Sequence, residues 1–415
     1  MRRVSVVSRQ ARRRWAVVAA GVTSVVLLPA LLPDLLPALL PHSVATSADT
    51  SAAELVRRAL ASASVPHAGL ARSRGDLGIP QLPRLEDVAA RLGSVTTARV
   101  WWADPSAWRV DVLSSTGERD SYGDAAGLTQ WDYEDYRLTD VAVGDVRLRL
   151  PRADDLLPPQ VGRRLLAGIG PGDRVERLPD RRRIAGVAVD GVRVVPGDAR
   201  TSIGHLDVWL HAGNGLPVAV TVVDVRGAPA LDTRFLELDL ARPAADLLAP
   251  PAAQGADRGR RSEPDLLRRV EEGRRRRLPA HLAGLAATEP LAPGLRTFGS
   301  GLVRLTVVPI SAALADQSLA AVRRGGGRPA DVPGGEALLA AQGVVALGVV
   351  RATDGARAYL LAGTVVPAVV LTAARELLAQ PRGAPSPAAP SSATPAPAAP
   401  SPATPAPASP SRSTS

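Results

Sequence analysis

The chain runs to 415 residues, more than one ordinary core holds, so at least two folded domains are expected. Its net charge of +10 sits in two places: residues 1–14 carry six arginines and no acid, and residues 255–277 carry nine arginines against five acids, which leaves the rest near neutral and excludes a phosphate-tracking face for nucleic acid. The absence of cysteine excludes disulfides, thiol nucleophiles, Cys-ligated metals and a lipid-modified cysteine, and without lysine no Walker phosphate loop is possible.

After the basic residues 1–14 comes WAVVAAGVTSVVLLPALLPDLLPALL, residues 15–40. Its first 19 residues are uncharged, close to the roughly 20 apolar residues of a spanning helix. The arginines before it place the N-terminus in the cytoplasm and the bulk of the chain outside. A single-pass anchor is therefore expected. The alternative is a signal peptide, for which Ser43-Val44-Ala45 and Thr46-Ser47-Ala48 offer small-residue cleavage sites and from which the protein would be secreted.

A helix is expected from Ser51, with Glu54 in its first turn and Leu55, Val56, Ala59 and Leu60 on one face. Residues 64–94 are rich in Gly and Pro, with a short helix expected at 86–93. Alternating apolar residues then predict strands at 95–103, 108–114, 118–122, 127–133 and 136–141, an antiparallel meander. Residues 151–170 form a helical excursion. Strands resume at 174–178, 183–195, 202–211, 217–225 and 234–240, with Asn214-Gly215 as a hairpin signal. The first domain is thus residues 51–245. Residues 246–279 make a charged linker and helix, and residues 280–379 a smaller α+β domain. In that domain, strands are expected at 301–308, 343–351 and 356–364 and helices at 311–323 and 367–379. From residue 380 to 415, Pro, Ala, Ser and Thr predict a disordered tail.

Signatures of catalysis are missing. No HExxH pair or GxSxG elbow occurs, and His205 and His211 lack further ligands at metal spacing. Asp154-Asp155 and Glu134-Asp135 lie in turn contexts, where capping roles outweigh acid–base work. The expectation is a binding protein that is not an enzyme and uses no cofactor or metal. Seven of the twelve aromatic residues fall between Trp101 and Tyr136. Strand alternation places Val100 and Trp102 on one apolar face with Trp108, Val110 and Val112, and Trp101 on the other. Trp131 is assigned to the same face, and these six side chains are the candidate surface for a hydrophobic ligand.

DLGIPQLP (76–83) followed by TARVWWADPSAWRVDVLSSTGERDSYGDAAGLTQWDY (97–133) resembles the N-terminal domain of the MucB/RseB family and the LolA- and LppX-like envelope proteins of actinobacteria. The positions that carry this likeness are Arg99, Val100, Trp101, Trp102, Asp104, Pro105, Arg109, Val110, Gly117, Glu118 and Trp131. IAGVAVDGVRVVPGD (184–198) and IGHLDVWLHAGNGLPVAVTVVD (203–224) fit the same family, with Val189 where its pattern has Tyr. FGSGLVRLTVVPI (298–310) and LLAGTVVPAVVLTAARELL (360–378) resemble the small C-terminal domain of RseB. The resemblance implies an α+β architecture: a curved antiparallel half-barrel covered by helices, with a smaller α+β domain behind it. It also implies binding of an anti-sigma factor or similar membrane regulator in response to envelope state. The alternative it implies is a carrier of lipids or lipoproteins with a lipid or acyl ligand.

Overall fold

The computed structural model describes residues 50–75, 95–114, 117–142, 152–262, 278–288 and 295–380. The apolar stretch 15–40, the short helix at 86–93, the charged helix after 262 and the tail beyond 380 lie outside them. Among the described residues, no helix is long and apolar enough to cross a membrane.

Helix α1 (Ala52–Ala61) starts where Ser51 Oγ accepts the Glu54 N–H at 3.2 Å, and Glu54 pairs with Arg57 and Arg58 on its exposed side. Leu55, Val56 and Ala59 face inward. Six strands follow: β1 (His67–Gly75), β2 (Val95–Asp104), β3 (Ala107–Leu113), β4 (Glu118–Gly123), β5 (Leu128–Asp132) and β6 (Arg137–Ala142). Helix α2 (Pro158–Ala167) begins on Pro158, whose missing N–H costs nothing at a helix start. It packs on β10 (Pro217–Asp224) and β11 (Pro229–Asp239). Gly162 allows this approach, since a Cβ there would lie 2.7 Å from Pro217. Thr233 Oγ1 on β11 donates to Leu156 O just before the helix, at 2.8 Å.

With β7 (Arg174–Ile184), β8 (Val187–Val195), β9 (Ile203–His211) and β12 (Asp257–Ser262), these strands form one twelve-stranded sheet. Its order is β12-β6-β5-β4-β3-β2-β1-β11-β10-β9-β8-β7. It is an open sheet and not a closed barrel: two antiparallel meanders meet where β11 pairs with β1.

Three strand expectations need correction. Residues 183–195 are not one strand, because Ala185 and Gly186 both take positive φ (48° and 80°) and turn β7 into β8. The turn hides in a Val- and Ile-rich run. Within the Gly- and Pro-rich 64–94, residues 67–75 form β1, a central strand of the sheet. Residues 257–262, assigned to a linker, form β12, which runs parallel to β6.

A two-stranded hairpin, β13 (His281–Leu282) with β14 (Leu285–Ala286), precedes the second sheet, which has six antiparallel strands in the order β15-β16-β20-β19-β18-β17. They are β15 (Arg296–Phe298), β16 (Leu305–Pro309), β17 (Arg328–Ala330), β18 (Gly335–Gln342), β19 (Val345–Ala352) and β20 (Ala358–Gly363). Helix α3 (Ala312–Arg324) covers one face and α4 (Pro367–Ala379) the other. Burial on both faces explains the apolar runs Val345–Val350 of β19 and Ala358–Gly363 of β20. β18, GEALLAAQ, reads by propensity as helix, and tertiary pairing overrides it.

The two sheets belong to one compact unit. Leu314 and Leu319 of α3 share a hydrophobic cluster with Leu55 and Val56 of α1, Val161 and Leu166 of α2, and the inward residues of β8–β10. Hydrogen bonds cross between the sheets as well: Thr201 Oγ1 donates to Leu302 O or Thr364 O (both 3.1 Å), and Ser202 Oγ to Val344 O (2.5 Å).

Candidate functional site

On the face of the large sheet that α2 crosses, Val100 lies opposite Val110 and Trp102 opposite Trp108 in the β2–β3 pairing. All four are at most 5% exposed. His67, at the head of β1 and opposite Trp102, extends the row. The rings of His67 and Trp102 stack at 6.0 Å, those of Trp102 and Trp108 at 5.9 Å, and Phe235 of β11 meets His67 edge-on. Trp102 Nε1 donates to Ala63 O at 3.0 Å, which fixes its ring. Trp108 lies over Gly123 on β4: a Cβ there would sit 2.1 Å from its ring. Val112 lies half-buried at the margin of this cluster.

Trp131 is not part of it. On β5 it faces Asp120, which faces Asp111 on β3, so it belongs to the opposite face with Tyr122 and Leu138. The expectation placed Gly123 in a turn; as the last residue of β4, opposite Trp108, it fixes a register in which Trp131 points the other way.

On the side of the sheet that α2 covers, three polar side chains that the sequence did not single out carry unpartnered atoms. His67 is fully buried; its Nδ1 meets Val65 O at 2.9 Å, so the proton is assigned there and Nε2 is left without a partner. Burial pushes its pKa down to about 4, and the nearby Arg163 charge acts in the same direction. Gln160 and Arg163, one turn apart on α2, are the other two. Neither amide atom of Gln160 has a partner, nor has Arg163 Nη1, which is shut off from solvent. Burial lowers the Arg163 pKa to about 10, with the Arg164 charge adding to it. Arg164 itself is satisfied by Asp155. The signal available in the sequence was a glutamine and an arginine pair inside an otherwise apolar helix.

The opposite face carries a charged cluster. The Arg109 guanidinium lies between the rings of Trp101 (4.8 Å) and Tyr122 (5.1 Å) and donates to Asp111 (2.7 Å) and Asp120 (3.1 Å). Tyr122 O–H donates to Asp120 at 2.9 Å. Carboxylate oxygens of Asp111, Glu118 and Asp120 lie within 4.8 Å of one another, a spacing a cation could use. Arg109 already bonds two of the three, so the guanidinium stands where a metal would. Burial, then the Asp111 charge, push the Asp120 pKa up to about 7, and burial raises Asp111 too. The cluster is suited to holding a proton.

Several of the remaining sequence candidates take part in ion pairs and turns. Asp155 holds Arg164 and accepts the Arg152 N–H, and Asp132 accepts the N–H groups of Glu134 and Asp135 in their turn. His211 bonds Asn214 in a hairpin turn, and His205 is 4.0 Å from Asp207. Six residues of strand, roughly 20 Å, separate the two histidines.

No family model matches the chain, and no curated protein does. Among solved structures it is similar to the MucA/MucB complex of Pseudomonas aeruginosa, at 16% identity over 78% of this chain and 96% of that one, with a TM-score of 0.39. A structure of MucB alone gives 17% identity over 78% of this chain and 96% of that one, with a TM-score of 0.37. A LolA superfamily protein from Nitrosomonas europaea gives 8% identity over 49% of this chain and 99% of that one, with a TM-score of 0.22. Solved structures of MucB and of the LolA superfamily are thus among those to which this chain is similar.

Proposed function

We propose that the chain is an extracytoplasmic, membrane-anchored binding protein of MucB/RseB type, without catalytic activity. It senses envelope state and engages the extracytoplasmic part of an anti-sigma factor or a similar membrane regulator. The observation that carries this reading is the joint core: an open antiparallel sheet crossed by a helix, fused through α3 to a second sheet. Such a body supports a two-part docking surface held at fixed geometry, which agrees with the order of the two sequence resemblances. The lipid-carrier alternative is less well supported, because Trp102 and Trp108 are already enclosed.

The test is recovery of partners from envelope extracts with the full chain as bait. Since the chain has no lysine, a photoactivated crosslinker is needed in place of an amine-reactive one. A single-pass membrane regulator should dominate the recovered proteins. Recovery of none under mild crosslinking would overturn the proposal.

A further inference from the structure

Arg163 departs from the way this molecule treats its other half-buried arginines: Arg296, Arg304 and Arg357 end on backbone carbonyls. Arg109, Arg164, Arg177 and Arg193 each end on a carboxylate. Arg163 reaches none: the one charge that acts on it is the like charge of Arg164, and its Nη1 is closed off from water without a hydrogen bond. A largely buried cation with no counter-charge is unfavourable. A guanidinium prefers to spend its planar fork on a carboxylate or phosphate. Two further unpartnered groups lie beside it. Gln160, one turn earlier on α2, is 7% exposed and offers both an amide donor and a carbonyl acceptor. His67 is close enough to feel the Arg163 charge and presents a bare Nε2 from a fully buried ring. That ring is held by Val65 O, Trp102 and Phe235, so it cannot swing away to find another partner.

We infer that Arg163, Gln160 and His67 form a seat under α2 for one oxyanion that also carries a hydroxyl hydrogen, the chemistry of a phosphate monoester. Arg163 and the Gln160 amide donate to the anionic oxygens. His67 Nε2 accepts from the protonated oxygen, or itself takes up a proton against the anion. The ligand is either a free phosphate or the headgroup of a phosphatidic-acid-like lipid. This inference does not depend on the regulator reading, and its test involves no protein partner.

The full chain is titrated calorimetrically with inorganic phosphate and, separately, with dihexanoyl phosphatidic acid below its micelle concentration. Wild type is compared with Arg163→Met and Gln160→Leu. At least one probe should bind, more tightly as the pH falls from about 8 to about 6, because His67 shares or gains a proton in the complex. Both variants should weaken binding by about tenfold or more. Arg163→Met should also raise the melting temperature of the unliganded chain, since a buried unpaired charge is gone. Phosphate binding assigns a free anion, and binding of the lipid alone assigns a headgroup. Absence of heat with both probes overturns the seat. Binding that Arg163→Met leaves unchanged, or a lower melting temperature for that variant, does so as well.

Discussion

At Gly123 the missing side chain is a packing requirement. Trp108 lies flat over it from the neighbouring strand, and Trp209 lies over Gly191 in the same way, where a Cβ would come within 2.7 Å of the ring. Glycine weakens a strand by itself, and a large ring from the next strand restores the lost contact. Gly123→Ala should therefore destabilise by about 1–3 kcal/mol through overpacking, measured by urea unfolding; a neutral result would mean that Trp108 can move at little cost. Arg109 is the second residue whose loss should be felt. Asp111 and Asp120 are at most 1% exposed, and Arg109→Ala leaves both without their cation. A loss of about 3–5 kcal/mol is expected in the same experiment. Neither role was legible in the sequence. Gly123 next to Asp124 reads as a turn, and Arg109 in an alternating strand reads as a solvated charge.

Among the elements, the hairpins between β2 and β6 were legible because their turns fall where the alternation stops. The strands that lacked that signal were β1, inside a Gly-rich stretch, and β18, an Ala- and Leu-rich segment whose pairing with β19 outweighs its helical preference. The stacked face was legible from alternation within β2 and β3, while the parity of β5 needed the register of two intervening loops. The β3–β4 pair also carries a pH dependence. Asp120, raised to about 7, faces Asp111 and Glu118, with Arg109, Tyr122 and Tyr133 around it. In the unfolded chain it ionises near its ordinary value of 3.8, so the folded state holds the extra proton between these two values. Its contribution is full below about pH 4 and is lost as the pH rises through about 7. His67, depressed to about 4, works in the opposite direction: its contribution is present above its ordinary value of 6.5 and lost as the pH falls toward 4. The comparison that isolates Asp120 is wild type against Asp120→Asn. From about pH 5 to about pH 8 the wild type should lose unfolding free energy relative to the variant, and parallel profiles would contradict the assignment.

For the whole molecule, the common cluster makes the two sheets interdependent. Helix α3 buries Leu314 and Leu319 against residues that also serve α1, α2 and the large sheet. Heating should therefore give a single calorimetric transition, and two resolved transitions would show that the sheets fold separately. Chain length and the charged stretch 246–279 suggest two domains. What could not be read is that Thr201 and Ser202, small polar residues in a turn, reach carbonyls 101 and 142 positions away. Residues such as these hold the sheets together without leaving a mark in any hydrophobic pattern.

The pairing of β12 with β6 has a consequence in time. Arg137 and Asp257, its first partners, are 120 residues apart, and the second meander lies between them. A contact across so long a loop forms late, after β7 to β11 have brought the chain back. By the same reasoning it is among the first to open, because β12 is an edge strand of charged, exposed residues with little apolar area to hold it. Its departure would uncover the side of the sheet where Ala253 and Ala256 rest on Tyr122 and Trp131. The molecule therefore has an end that closes last and loosens first, and amide exchange should find its fastest strand at residues 257–262.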